Sequence, residues 1–203
     1  MKIKICGLTS AKEAIYLNEN KVDFAGMVMF FPKSKRNIDE KKATEIIKAL
    51  DENIKSVAVT VSPTLEQIKT IESLGFDYIQ IHGKLENELI EKINIPILKA
   101  FNVKDIEMYD NFKNIDKIKG FVFDAQEPGS GKTFDWNTLK SFPKSEKLMI
   151  LAGGLNPTNV ENAVNVLHPD CVDVSSGVEN DNGIGKSKEK INMFVTNARK
   201  VSC

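Results

Sequence analysis

Short apolar runs alternate with amphipathic stretches along the whole chain. The first run, Lys2-Ile3-Lys4-Ile5-Cys6, alternates lysine with isoleucine and stops at Gly7, the period of a β-strand. A polar turn, Thr9-Ser10, caps a helix expected over 11–19, with Ala14, Ile15 and Leu17 on its apolar side. Further strands are expected over 23–30, 55–60, 77–82, 96–101, 120–124, 147–152 and 171–175. Helices are expected between them over 39–50, 64–74, 86–93, 104–118, 136–140 and 157–167, and a last amphipathic one over 188–201. The helix over 157–167 takes Pro157 into its first turn, where a missing N–H costs nothing.

Eight strand–helix pairs in strict alternation predict a parallel sheet covered by helices, hence the α/β class. At 203 residues, with no linker rich in Pro, Gly or Ser, eight units favour a single-domain (β/α)8 TIM barrel over an open sheet. A GxGxxG after the first strand would favour the open sheet, and the chain has none there. The barrel carries a consequence: chemistry belongs at the C-terminal ends of the strands and in the loops that follow them.

Charge changes the picture only by exclusion. Lys+Arg and Asp+Glu both number 28, so the net charge is zero, and the lysines are spread out. That balance favours neither nucleic acid nor an anionic membrane as partner. The three cysteines, Cys6, Cys171 and Cys203, show no short spacing, and only two histidines accompany them. A zinc site or disulfide framework is therefore not expected, and no metal is assigned. The charged N-terminal strand is unlike a signal peptide and no apolar run reaches membrane-spanning length, so a cytoplasmic protein is expected. Sequence locates no exposed apolar patch, which leaves monomer and homodimer both open.

The expected strand ends gather a varied polar set: Cys6, Arg36 in the second loop, His82, Asp124, Gly153-Gly154 and Ser175-Ser176-Gly177. Cys6 is either a reactive thiol at a pocket mouth or a small buried apolar residue. Asp124 ends the apolar run Phe121-Val122-Phe123 and serves either as general acid or base, or as a helix N-cap. Arg36 either grips a carboxylate through its planar fork or pairs with a surface acid. His82 lines the pocket or satisfies a turn. The glycine- and serine-rich seventh and eighth ends fit the corner where barrels bind phosphate, because glycine lets backbone amides approach an anion. Cys171 starts its strand on the side away from that pocket and Cys203 is terminal, so both read as structural or incidental. Gly129-Ser130-Gly131-Lys132-Thr133 suggests a P-loop, but Gln126 stands where that motif needs glycine, and a lid over the site is the better reading.

Taken together, Lys4-Ile5-Cys6-Gly7-Leu8-Thr9, Gln80-Ile81-His82-Gly83, Phe123-Asp124-Ala125, the glycine loop 129–136, and the segments 151–160 and 172–179 resemble the phosphoribosylanthranilate isomerase family. The resemblance runs from the first strand to the last. It implies a (β/α)8 barrel and an Amadori rearrangement of a phosphosugar, N-(5-phosphoribosyl)anthranilate, with neither metal nor organic cofactor. It implies that Asp124 is the general acid opening the ribose ring and that Cys6, as thiolate, is the base at C2. It further implies that Arg36 holds the anthranilate carboxylate, while the backbone around Gly154 and Ser175, Ser176 and Gly177 holds the phosphate. The chain departs from the family's usual pattern at Ser34-Lys35-Arg36, where Ser-Pro-Arg is common, at Ser130 in the glycine loop, and at Gly185-Lys186-Ser187, which lacks an aspartate.

Two other readings remain to be separated. The histidine-pathway ribonucleotide isomerase performs the same class of rearrangement on a similar barrel, but with two aspartates, and Cys6 argues against it. A barrel that binds a phosphorylated ligand without turning it over needs only the phosphate corner, and the presence of both Cys6 and Asp124 argues against that.

Overall fold

The computed structural model describes residues 1–124, 139 and 145–200, with residues 103–106 described for their backbone only. The glycine loop 129–136, Ala125, Cys203 and, apart from Leu139, the short helix expected near 136–140 lie outside the described residues.

In chain order the elements are β1 (Lys2–Cys6), α1 (Ala11–Asn20), β2 (Phe24–Met29), β3 (Asn37–Ile38), α2 (Glu40–Ala49), β4 (Lys55–Val61) and α3 (Leu65–Ser73). They continue with β5 (Tyr78–His82), α4 (Asn87–Glu91), β6 (Ile97–Asn102), a 3₁₀ run (Val103–Asn111), β7 (Ile118–Asp124), β8 (Leu148–Leu151), α5 (Val160–Leu167), β9 (Cys171–Val174), a 3₁₀ turn (Ser176–Val178) and α6 (Lys188–Lys200). Eight of the strands form a closed parallel ring, because β1 pairs with β2 on one side and with β9 on the other. This is the expected TIM barrel. The two-residue β3, which sequence reading did not anticipate, extends the far end of β2 through Val28–Asn37 and Met29–Ile38.

Period-2 alternation divides each strand between two apolar layers. Ile3, Ile5, Ala25, Met27, Ile79, Ile81, Phe121 and Phe123 point outward into the packing between strands and helices. Phe24, Val57, Val59, Leu98, Ala100, Val122, Ile150 and Cys171 fill the barrel interior. Helices close the outer layer with Leu17, Ile46, Ile68, Val164 and Phe194, each buried. Cys171 is fully buried at the start of β9, away from the strand ends that carry chemistry.

Two boundaries differ from expectation for local reasons. The helix expected over 104–118 stops at Asn111, and Ile118 already belongs to β7, where it pairs with Ile97. The intervening Asn114 and Asp116 are turn formers that interrupt the helical period. The helix after β8 begins at Val160 instead of Pro157. Asn156 accepts hydrogen bonds from the Thr158 N–H and hydroxyl (2.8 and 2.7 Å) and donates its own N–H to Asn159 Oδ1, so a side-chain-closed turn occupies the place of the first helical turn. By contrast, α3 starts where sequence places it. Thr64 accepts from the Gln67 N–H while Gln67 Oε1 accepts from the Thr64 N–H, a capping box. Thr64→Ala is expected to lower stability by about 1 kcal/mol, read as a shift of the denaturation midpoint at constant m-value.

Candidate active site

The C-terminal ends of the ring strands surround a cavity of about 1030 Å³. Cys6 reaches it from β1, Arg36 from the loop after β2, His82 from β5, Asp124 from β7, Gly153 and Gly154 from the loop after β8, and Ser175 and Ser176 from the loop after β9. Of the sequence-selected residues only Gly177 stays off the cavity wall. It packs against the Leu155 carbonyl and the Asn156 side chain so closely that a Cβ would collide with both. It thereby docks the eighth loop onto the seventh. Gly153 and Gly154 adopt φ of +85° and +67°, backbone that a side chain would strain, and they put main chain at the cavity wall.

The floor is polar, which the sequence did not announce. Lys4, fully buried on the inward face of β1, donates to Asp173 Oδ2 at 2.7 Å across the β1–β9 rung. Cys6 stands one inward position above Lys4. Burial pushes the Cys6 thiol above its ordinary pKa, and Asp173 adds to the shift, while the ammonium groups of Lys4 and Lys186 offset part of it. Opposite, Gln80 on β5 bonds His82 ring-N to amide-N at 2.8 Å. Burial, with Lys4 and Lys99 nearby, lowers the His82 pKa to about 3, so the ring is neutral at physiological pH and neither gains nor loses charge there. Lys99 donates to the carbonyls of Gly83 and Ala100 and lies 4.8 Å from the Phe101 ring centroid.

Arg36 is aimed by a residue that sequence reading passed over. Its Nε donates to Glu179 Oε1 at 2.5 Å, and Lys35 donates to Glu179 Oε2 at 2.8 Å and to the Gly183 carbonyl at 3.0 Å. Burial works against the Glu179 charge, but the bonds from Arg36 and Lys35 and the charge of Lys186 hold its pKa below the ordinary value. Lys35, at the departure from the family's usual loop, is therefore part of the clamp on Arg36. Lys186, at the departure over 185–187, lies 3.6 Å from Glu179 and donates to the Ser175 carbonyl at 3.0 Å. Its own N–H is taken by Glu13 Oε1 at 3.0 Å, and Glu13 Oε2 also accepts from the Thr9 N–H. The first, second and eighth loops are thus tied together by Glu13, Glu179 and Lys186.

One wall of the cavity is apolar, with Val28, Phe31, Val59, Val61, Phe101 and Met108, of which Val28 and Phe31 flank the Arg36 loop. Such a site suits a ligand with an aromatic part and separate anionic ends. Among the described residues no group of three or more His, Cys, Asp or Glu side chains is placed to hold a metal ion, and no helix is long and apolar enough to cross a membrane.

Residues 3–197 match the family described as PRAI, N-(5'-phosphoribosyl)anthranilate (PRA) isomerase. The N-(5'-phosphoribosyl)anthranilate isomerase of Thermoanaerobacter sp. (strain X514) is 40% identical over 205 residues, covering 98% of each chain. The crystal structure of phosphoribosyl anthranilate isomerase from Thermotoga maritima superposes with a TM-score of 0.88 at 36% identity, covering 98% of this chain and 99% of that one. A second crystal structure, of such an isomerase in complex with reduced 1-(o-carboxyphenylamino)-1-deoxyribulose 5-phosphate, superposes with a TM-score of 0.86 at 33% identity over 98% and 99% of the two chains.

Proposed function

The chain belongs to the N-(5'-phosphoribosyl)anthranilate isomerase family, and from that membership we propose how its own residues carry out the isomerisation. The activity is that of the family: phosphoribosylanthranilate isomerase, in tryptophan biosynthesis. The observation that supports the residue assignment is the shared cavity. A thiol and a carboxyl face it from β1 and β7, with β9 and β8 between them around the ring, and an arginine and two glycine-bearing loops stand at its rim.

The phosphate sits at the corner formed by Gly153 and Gly154 after β8 and by Ser175 and Ser176 after β9, with Gly177 behind them docking the two loops together, where open main chain and the start of a 3₁₀ turn favour an anion. The anthranilate carboxylate lies on Arg36. Because Glu179 occupies Nε, the two terminal amino groups of the guanidinium form the fork that meets it. The aromatic ring rests on Val28 and Phe31, and His82 bounds the ribose side as a neutral polar wall.

With the substrate so held, the Asp124 carboxyl gives its proton to the ring oxygen as the C1–O bond breaks, and the anilino nitrogen lone pair closes the C=N bond of a protonated Schiff base. Cys6, as thiolate, then removes the proton from C2. The electron pair of that C–H bond forms C1=C2, and the imine π pair returns to nitrogen. The resulting enolamine tautomerises to the 2-ketone. One group gives a proton while the other takes one, so their environments must keep them in opposite protonation states. A thiol base also suits a reducing cytoplasm, where disulfide formation does not consume it.

Arg36→Ala tests the carboxylate contact. Loss of a two-pronged charged hydrogen bond is expected to raise KM by about 10–100-fold, with a smaller change in kcat. An unchanged KM with a purely reduced kcat contradicts this placement.

A further inference from the structure

Lys4 has no part in the steps above, yet it lies fully buried directly beneath Cys6. We propose that Lys4 is the counter-ion of the Cys6 thiolate, a positioning residue whose ammonium, anchored by Asp173, holds the negative sulfur inside the barrel. The inference rests on the reading of Cys6 as the base, and the test below separates the two.

Three geometric facts carry it. On β1, Ile3 and Ile5 pack outward, which turns Lys4 and Cys6 into the interior as neighbours on one face. Asp173, on the adjoining strand and in register with Lys4, fixes the ammonium at 2.7 Å. On the other side Gly26 is in register with Cys6, and the point where its Cβ would stand lies 2.9 Å from Cys6 Sγ and 3.1 Å from Lys4 Nζ. Thiol and ammonium thus converge on a space left free by a glycine in the middle of a strand. Such a glycine weakens the strand and marks a close approach.

The other described charges around Cys6 have partners of their own. Lys186, from the segment before α6, is held by Ser175 and Glu179, and burial lowers its pKa to about 8. Arg36, from the loop over Gly7, is bound to Glu179, and Lys99 on β6 serves backbone carbonyls. His82 on β5 is neutral, and Asp173 and Asp124 are acids on β9 and β7 that disfavour a second negative charge. Of these described cations, Lys4 is the fully buried one that shares the inward face of a strand with Cys6. Burial works to lower its pKa, but Asp173 and the thiolate outweigh that and leave it above the ordinary lysine value. A buried ion pair gives little net stability over an apolar pair of the same size, so a pair at this position calls for a chemical reason.

The experiment is the pH dependence of Cys6 alkylation by iodoacetamide, read on the Cys6 peptide by mass spectrometry, in wild type, Lys4→Met, Asp173→Asn and Lys4→Met/Asp173→Asn. The double variant leaves no buried unpaired acid and guards against a folding defect in Lys4→Met. Loss of Lys4 is expected to move the half-reactive pH upward by one unit or more, Lys4→Met against wild type and the double variant against Asp173→Asn, because Asp173 itself raises the thiol pKa; each comparison means an alkylation rate about tenfold slower at pH 7. The acid limb of kcat/KM is expected to move by the same amount. A folded double variant, with wild-type circular dichroism and cooperative unfolding, that keeps the alkylation profile of Asp173→Asn overturns the inference. A shifted profile beside a fully active Cys6→Ala enzyme supports the counter-ion and removes Cys6 from the role of base.

Discussion

Asp124→Asn is expected to lower kcat by about three orders of magnitude, the scale of a lost general acid, with KM within a few-fold of wild type. Asparagine keeps the size and the hydrogen-bonding oxygen of the side chain, so the end of β7 and its pairing with Asn102 remain in place. What it lacks is a dissociable proton for the ribose ring oxygen. Ring opening then leaves an alkoxide that nothing neutralises, and that step becomes limiting. A kcat near wild type in this variant removes Asp124 from the mechanism.

Cys6→Ala is expected to cost a comparable factor, with a different pH signature. Burial holds the wild-type thiol above its ordinary pKa, so only a minority of molecules carry thiolate at neutral pH. The wild-type kcat/KM is therefore expected to rise about tenfold per pH unit on the acid side and to level off only above neutrality. His82, neutral down to about pH 3, adds no limb near 6.5. Removing the thiol removes that rise along with the rate, and Cys6→Ser does the same, because a hydroxyl is too weak an acid to supply an anion. A Cys6→Ala enzyme that keeps the acid limb contradicts the assignment.

The barrel was legible because eight parallel strands with helices on their outer face impose one period along the chain, and helix starts such as Thr64 carry their own chemical signal. The rim residues Cys6, Arg36, His82 and Asp124 were legible because strand ends are where a barrel exposes side chains. The floor was not. Lys4, Gln80 and Asp173 alternate with Ile or Val, the pattern of a strand with one wet face, but a closed ring turns that second face into the interior. Gly26 inside a strand was the one local signal of a close approach there. Glu179 and Lys186 escaped for another reason. Their role depends on three loops meeting above the barrel, which no local period encodes. The boundary differences at Asn111 and Val160 follow from side-chain turns and strand pairing that override helix propensity.

In the proposed mechanism one cavity isomerises phosphoribosylanthranilate with Cys6 as base and Asp124 as acid. Turnover of substrate made in situ, followed by loss of anthranilate-type fluorescence, tests it most directly. Wild type, Cys6→Ala and Asp124→Asn are assayed side by side, with the affinity of each for reduced 1-(o-carboxyphenylamino)-1-deoxyribulose 5-phosphate measured in parallel. The predicted result is rapid conversion by wild type and near-complete loss in both variants, with the analogue still bound by all three. Conversion that survives in either folded variant rules out the pairing of Cys6 as base with Asp124 as acid.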